Sequence, residues 1–234
     1  SSDVCSSDLN GIKYLLTRSI GTDHINLEKC RQLGIRVGRS QYSPNSVANY
    51  TIMLMLMVCR RFAHIEKRVE VQDYSFKGKM GRELSNCTVG IVGTGKIGRT
   101  VIEHLHGFGC RILAYDLYPN HSLDSLAEYV SLDELLECCD ILSLHAPATK
   151  DNYHLIDKSA LARMKDGVMI INAARGTLVD SDALIEGIES GKVGGAALDV
   201  LEDEAGLYYR NLSGEVLTNH QMAILRSFPN VILS

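Results

Sequence analysis

From Gly11 onward, short apolar runs alternate with stretches whose apolar residues recur every three or four positions. The first kind predicts strands and the second amphipathic helices. Residues 12–17 form a first apolar strand. Asn26 caps a helix through Leu33, Gly34 ends it, and Ile35-Arg36-Val37 makes a second strand. After a turn at Tyr42-Ser43-Pro44-Asn45-Ser46, one long amphipathic helix is predicted. Its apolar residues are Val47, Tyr50, Ile52, Met53, Leu54, Leu56, Met57 and Val58, and charged residues follow from Arg60 to Glu70. The methionines read as core filling.

The pattern is clearest around Cys87-Thr88-Val89-Gly90-Ile91-Val92, a β-branched apolar run that fits a buried parallel strand. Gly93-Thr94-Gly95-Lys96-Ile97-Gly98 follows at once. Val101, Ile102, Leu105 and Phe108 then fall at helical spacing, so the glycines stand where a strand hands over to a helix. In such a turn the first glycine permits the tight bend, the second a close approach of pyrophosphate, and the third close helix–strand packing. Free N–H groups and the positive end of the helix dipole face the phosphates. A second strand, Arg111-Ile112-Leu113-Ala114-Tyr115, ends in Asp116, 23 residues after Gly93. That is where an acid that hydrogen-bonds an adenosine ribose is expected, and it would repel a 2′-phosphate. NAD is therefore favoured over NADP.

Beyond a polar loop, Ser131-Leu132-Asp133-Glu134 opens a short helix with a capping box. Strands are predicted at 140–145, 167–172 and 193–198, with helices at 158–164 and 181–190. Strands alternating with helices call for a parallel, doubly wound α/β sheet of the Rossmann type.

Composition narrows the picture mainly by exclusion. A net charge of −4 with pI near 6.1 gives no reason to expect nucleic acid or an acidic lipid surface as a partner. Seven cysteines without a CxxC pair look like reduced thiols of a cytoplasmic protein, and no metal-ligand cluster stands out. The longest hydrophobic run, residues 51–59, is about half of the roughly 20 residues a membrane span needs. No signal peptide is visible. Residues 1–9 repeat Ser-Ser-Asp without periodicity and read as a non-native leader.

Ligands of such sheets lie at the carboxyl ends of the strands. Arg175, Asp199 and Glu204 are placed there. An arginine can hold a substrate carboxylate through two parallel N–H···O bonds and polarise an adjacent carbonyl. A buried acid such as Glu204 can raise the pKa of a histidine by charge pairing. The bland alternatives are a surface Arg-Gly pair and a solvated acidic run, Glu202-Asp203-Glu204.

Here the residues resemble a known family. Ile171-Asn172-Ala173-Ala174-Arg175-Gly176-Thr177-Leu178-Val179-Asp180 is similar to the arginine signature of the D-isomer-specific 2-hydroxyacid dehydrogenases. Gly194-Gly195-Ala196-Ala197-Leu198-Asp199-Val200-Leu201-Glu202-Asp203-Glu204 is similar to their glutamate signature. Arg18-Ser19-Ile20-Gly21-Thr22-Asp23-His24-Ile25 and Tyr42-Ser43-Pro44-Asn45-Ser46-Val47-Ala48 match the family before the glycine loop. The D-lactate dehydrogenase branch, with the relatives that supply D-lactate for vancomycin resistance, looks nearest. Tyr42-Ser43-Pro44-Asn45 and the long segment 205–221 point there.

The resemblance implies an NAD-dependent reduction of pyruvate or a similar 2-oxo acid. Residues 10–43 would be part of a flavodoxin-like substrate domain, and 44–234 the NAD-binding domain with its linking helix. Arg175 would bind the carboxylate and orient the carbonyl. Backbone groups of Ile20 and Gly21, with the Tyr42 hydroxyl, would hold it from the other domain. Glu204 would keep a catalytic histidine protonated, with Asp199 in support. Gly93, Gly95, Lys96, Ile97, Gly98, Asp116, Ala146, Pro147, Asn152, Ala173 and Asp199 would line the NAD site. A homodimer through the cofactor domain and the long helix is implied as well.

Two departures stand out. Asn49 replaces the acid usual after Val-Ala. No histidine sits in the family's catalytic context, which is expected within a few residues after Ser234, and His220 reads as a loop residue. The chain therefore reads as a piece cut at both ends, expected to bind NADH and to turn over little pyruvate. Two other readings compete: a 3-phosphoglycerate dehydrogenase, which would want more basic residues for its phosphate, and a non-catalytic NADH-sensing corepressor.

Overall fold

The computed structural model describes residues 11–17, 25–40, 43–204 and 211–234. The chain divides into two compact units, Ser1–Ser43 and Pro44–Ser234. In the first, strands β1 (Tyr14–Thr17) and β2 (Arg36–Arg39) pair in parallel, and helix α1 (Leu27–Gln32) joins them. The Asn26 side chain accepts the Lys29 N–H and caps α1.

The second unit begins with α2 (Asn45–Cys59) and α3 (Phe62–Glu70). It continues through β3 (Thr88–Val92), α4 (Lys96–Leu105), β4 (Arg111–Tyr115), β5 (Glu128–Tyr129), α5 (Leu132–Cys138) and β6 (Ile141–Leu144). Then come α6 (Lys158–Arg163), β7 (Val168–Asn172), α7 (Ser181–Glu189), β8 (Val193–Leu198), α8 (His220–Ser227) and β9 (Val231–Leu233). Its seven strands form one parallel sheet in the order β5-β4-β3-β6-β7-β8-β9. The chain winds outward from β3 to β5, returns to β6 on the other side of β3, and winds outward again. The reversal leaves a crevice between the carboxyl ends of β3 and β6.

The sheet is covered on both faces, which is why β6 and β7 are buried at every position and apolar but for Ser143 and Asn172. On one side Val89, Ile91, Met169 and Ile171 pack against α2 and α4, through Leu54, Met55, Val101 and Ile102. On the other, Val92, Leu142, Leu144 and Ile170 pack against α5, α6 and α7, through Leu135, Leu161 and Leu184. These are the two layers of a doubly wound fold.

The structure departs from the sequence expectations in three places. The single long helix after Pro44 is two: Arg61 takes a left-handed conformation (φ 55°) between α2 and α3. The Cys59 carbonyl, which a continuing helix would give to residue 63, instead accepts the Arg82 N–H at 2.9 Å. Gly81 lies so close that a Cβ there would stand 2.3 Å from that carbonyl oxygen. His220 begins α8, capped by the Asn219 side chain on the Met222 N–H, and is not a loop residue. The polar loop after Asp116 contains β5, whose Tyr129 registers with Ala114 of β4. Among the described residues no helix is long and apolar enough to cross a membrane.

Candidate functional site

The glycine turn lies at the carboxyl end of β3, and each of its three glycines has a separate reason to be there. Gly93 has φ 92°, and a Cβ on it would meet the Ala146 nitrogen at 2.7 Å. Ala146 follows β6, so Gly93 and Ala146 form opposite walls of the crevice. A Cβ on Gly98 would stand 1.9 Å from the Gly93 oxygen, so helix α4 sits directly on the turn. A Cβ on Gly95 would meet nothing within 4 Å. That open side is where a phosphate can reach the backbone. Gly95 is the N-cap of α4, and the first N–H groups beyond it, on Lys96, Ile97 and Gly98, have no acceptor within the helix.

Asp116 follows β4 and is tied to the turn. Its Oδ2 accepts the Thr94 N–H at 2.6 Å and the Thr94 hydroxyl at 3.1 Å, and its Oδ1 accepts the Tyr118 N–H at 2.9 Å. On the far wall, the loop after β6 carries His145, Ala146 and Pro147. The His145 N–H donates to the Val92 oxygen at 2.8 Å, and its ring nitrogen Nε2 lies 2.9 Å from the Ser143 hydroxyl. Burial pushes the His145 pKa down to about 4, so the ring is neutral at physiological pH. Asn152 shapes this loop: its Nδ2 donates to the Pro147 oxygen at 2.8 Å and its Oδ1 accepts the Thr149 N–H at 2.7 Å.

Arg175 stands on the loop after β7, beyond Ala173. The buried Asn172 side chain braces this loop, donating to the Arg175 oxygen at 2.9 Å and accepting the Ala174 N–H at 3.1 Å. The guanidinium donates through Nη1 to the Ala174 oxygen at 2.7 Å. The next residue, Gly176, lies against the turn after β8; a Cβ there would stand 2.0 Å from the Leu201 oxygen. Asp199 heads that turn, with its N–H on the Asn172 oxygen at 2.9 Å and its Oδ1 accepting the Ser234 hydroxyl at 3.0 Å. Glu204 closes it, its Oε2 accepting the Leu201 N–H at 2.7 Å. Arg175, Asp199 and Glu204 thus occupy neighbouring loops at the carboxyl ends of β7 and β8, in backbone contact. Ile20, Gly21 and Tyr42 lie outside the described residues.

The acidic run before Glu204 is not simply solvated. Glu202 accepts from the Tyr153 hydroxyl at 2.8 Å, and its Oε1 lies 2.7 Å from His154 Nε2. His154 Nδ1 is 3.6 Å from Asp180, and its ring stacks on Tyr153 with centroids 3.9 Å apart. The His154 N–H also donates to the Thr177 oxygen at 2.9 Å. This cluster clamps the segment before α6 to both the arginine loop and the glutamate turn. Sequence reasoning missed it, because Tyr153-His154 and Glu202 lie 48 to 49 residues apart and match no motif.

Comparison with known proteins agrees with this geometry. Residues 52–234 match the family described as D-isomer specific 2-hydroxyacid dehydrogenase, NAD binding domain. An aromatic 2-oxoacid reductase of Clostridium sporogenes is 47% identical over 226 residues, 96% of this chain and 68% of that protein. A D-specific alpha-keto acid dehydrogenase of Enterococcus faecium is 44% identical over 224 residues, with the same coverage of 96% and 68%. The crystal structure of the D-lactate dehydrogenase of Aquifex aeolicus, complexed with NAD and lactic acid, superposes with a TM-score of 0.86 at 40% identity. It covers 95% of this chain and 68% of that one.

Proposed function

The chain belongs to the D-isomer-specific 2-hydroxyacid dehydrogenases, whose cofactor is NAD, and on that premise we propose that the protein reduces a small 2-oxo acid, such as pyruvate, to the D-2-hydroxy acid. The observation that carries the reading is the contact of the Gly176 loop with the Leu201 turn. It keeps Arg175 and Glu204 on one rim of the sheet, two and three strands from the glycine turn.

The residues present fit NAD: an open face at Gly95, unpaired first-turn amides of α4, and a braced acid after β4. Gly93, Gly95, Lys96, Ile97 and Gly98 would hold the pyrophosphate, Asp116 the adenosine ribose, and Ala146, Pro147, Asn152, Ala173 and Asp199 the nicotinamide half. When bound, the reduced cofactor supplies the hydride. Arg175 would pair bidentately with the substrate carboxylate and polarise the ketone beside it. Ile20, Gly21 and Tyr42 would also bind the carboxylate. Glu204, supported by Asp199, would hold by charge pairing a protonated histidine that donates to the ketone oxygen.

Steady-state assays of the full-length protein, following NADH with pyruvate, phenylpyruvate, oxaloacetate and phosphohydroxypyruvate, test this. Pyruvate or phenylpyruvate should be preferred, and Arg175→Ala should lower kcat/KM about 10²- to 10³-fold. A preference for phosphohydroxypyruvate would move the protein to the phosphoglycerate-type enzymes. No NADH oxidation with any of the four would overturn the enzymatic reading.

A homodimer is part of the proposal. Met53 and Phe62 of α2 and α3 are exposed, and so are Val71, Tyr74, Phe76 and Met80 after them. The loop that carries the aromatics is ordered: the Arg68 guanidinium donates to Asp73, Ser75 and the Lys77 oxygen. Hydrogen bonds from the Ser75 hydroxyl, then from the Arg68 guanidinium and the Ser75 N–H, hold the Asp73 carboxyl well below the usual range. A rigid loop displaying apolar side chains fits a surface covered by a second copy. Sedimentation velocity should show a dimer that Phe76→Glu weakens. The cytoplasm is the proposed compartment, in keeping with the six free cysteines among the described residues.

A further inference from the structure

We propose that Tyr129, acting through Thr94, is the residue that positions Asp116 and so sets the preference of the site for a cofactor with an unphosphorylated ribose. The inference rests on the NAD-dependent reading above and adds to it two positioning residues, one of them far away in the chain.

The Asn120 N–H points at the Tyr129 hydroxyl oxygen at 2.9 Å. An amide N–H can only donate, so the Tyr129 oxygen accepts. Tyr129 then has one proton to place, with the Thr94 hydroxyl at 2.9 Å and the Asn120 carbonyl at 3.4 Å as acceptors. The shorter contact wins. Thr94, having accepted, places its own proton on Asp116 Oδ2 at 3.1 Å. A carboxylate only accepts, so the chain cannot run backwards. It leads one way, from the Asn120 amide through two hydroxyls to the acid, and each bond polarises the next.

That leaves little of Asp116 unused. Oδ2 takes two donors, the Thr94 N–H and hydroxyl, while Oδ1 takes the Tyr118 N–H. With roughly four acceptor positions on a carboxylate, one remains, on Oδ1. It suits a single ribose hydroxyl. The group cannot swing away from a 2′-phosphate without breaking three hydrogen bonds. Thr94 is buried at 5% exposure, and Tyr129 sits on the two-residue edge strand β5, in register with Ala114, two residues before Asp116. The Arg111–Glu128 ion pair and the Val130 N–H on the Ala114 oxygen tie this strand to β4, and the Tyr129 hydroxyl adds the tie to the glycine turn.

The test is direct binding, read apart from catalysis. NADH and NADPH are titrated into wild-type protein, Tyr129→Phe, Thr94→Val and Thr94→Ser by calorimetry, with melting temperatures measured alongside. Tyr129→Phe should weaken NADH about threefold to tenfold, the effect of losing one hydrogen bond. It should leave NADPH binding unchanged, so that the ratio of the two dissociation constants narrows by the same factor. Thr94→Val should do the same, and Thr94→Ser, which keeps the hydroxyl, should restore the wild-type ratio. If Tyr129→Phe weakens both cofactors equally, or leaves the ratio within twofold of wild type, Tyr129 is merely structural and the proposal fails while the NAD-dependent reading stands. A wild-type protein that binds the two alike would overturn the proposal, and one that binds neither would overturn the NAD-dependent reading as well.

Discussion

Gly98→Ala and Gly95→Ala should separate the two duties of the glycine turn. At Gly98 the added Cβ would lie 1.9 Å from the Gly93 oxygen and 3.3 Å from the His145 Cβ. Since real contacts are not shorter than 3.0 Å, the start of α4 has to move by about 1 Å away from the turn. Such overpacking costs about 1–3 kcal/mol, which in a protein of this size lowers Tm by about 2–12 °C. The same shift stretches any amide–phosphate hydrogen bond from about 2.9 Å to nearly 4 Å, beyond useful range. Hydrogen bonds to a charged group contribute about 1.5–3 kcal/mol each, so losing one raises the NADH dissociation constant about 10- to 150-fold. At Gly95 a Cβ meets nothing within 4 Å, so folding should be unaffected. It would, however, occupy the space through which the pyrophosphate approaches. The assay is titration of NADH by its own fluorescence, which the absence of tryptophan leaves free of that background, with thermal melts in parallel. Gly98→Ala should lose both affinity and Tm, and Gly95→Ala affinity alone. Unchanged NADH affinity in Gly95→Ala would refute the placement of the phosphates, and an unchanged Tm in Gly98→Ala the packing argument.

Gly176→Ala would push a Cβ to 2.0 Å from the Leu201 oxygen and part the arginine loop from the glutamate turn by about 1 Å. In the full-length protein kcat/KM for the best 2-oxo acid should fall about 100-fold while NADH binds normally; equal losses in both would point to general unfolding. The depressed pKa of His145 makes stability depend on pH. Its neutral form is favoured in the fold, so the contribution is complete above the ordinary value of 6.5 and is lost as pH falls toward about 4, where the unfolded chain takes up the proton first. Urea midpoints at pH 7 and pH 4.5 should differ less in His145→Asn than in wild type, and identical differences would contradict it. Burial pushes the Cys59 and Cys139 thiols up to about 12. Both should resist iodoacetamide at pH 8 until urea is added, as mass spectrometry of the labelled peptides would show; rapid labelling in the native protein would be incompatible with their burial.

What the sequence made legible were features with local causes. The run from Thr88 to Asp116 can be read because strand, turn, helix and strand follow within 29 residues, each with its own periodicity. The break at Arg61 could not, for neither glycine nor proline marks it; it arises because Arg82, 23 residues beyond Cys59, takes that residue's carbonyl. Strand β5 is only two residues long, and the apolar residues of α8 run consecutively from Met222 to Leu225, so neither shows a clear period. In the site, Gly93, Asp116, Arg175 and Glu204 were visible as motif positions. Tyr129 and Glu202 were not, since their partners Thr94 and His154 are 35 and 48 residues away and only folding brings them together.

On the ribosome, the reversal of winding between β3 and β6 imposes an order of events. Gly93 has left the exit tunnel 53 residues ahead of Ala146, its close neighbour across the crevice. At about 5–20 residues per second, that is an interval of roughly 3–10 s in which the nucleotide cradle has only one wall. During it the free edge of β3 is exposed to any other extended chain nearby. A newborn chain would therefore need shielding, by a chaperone or by the ribosome surface, until Ile141 arrives to pair with Val89.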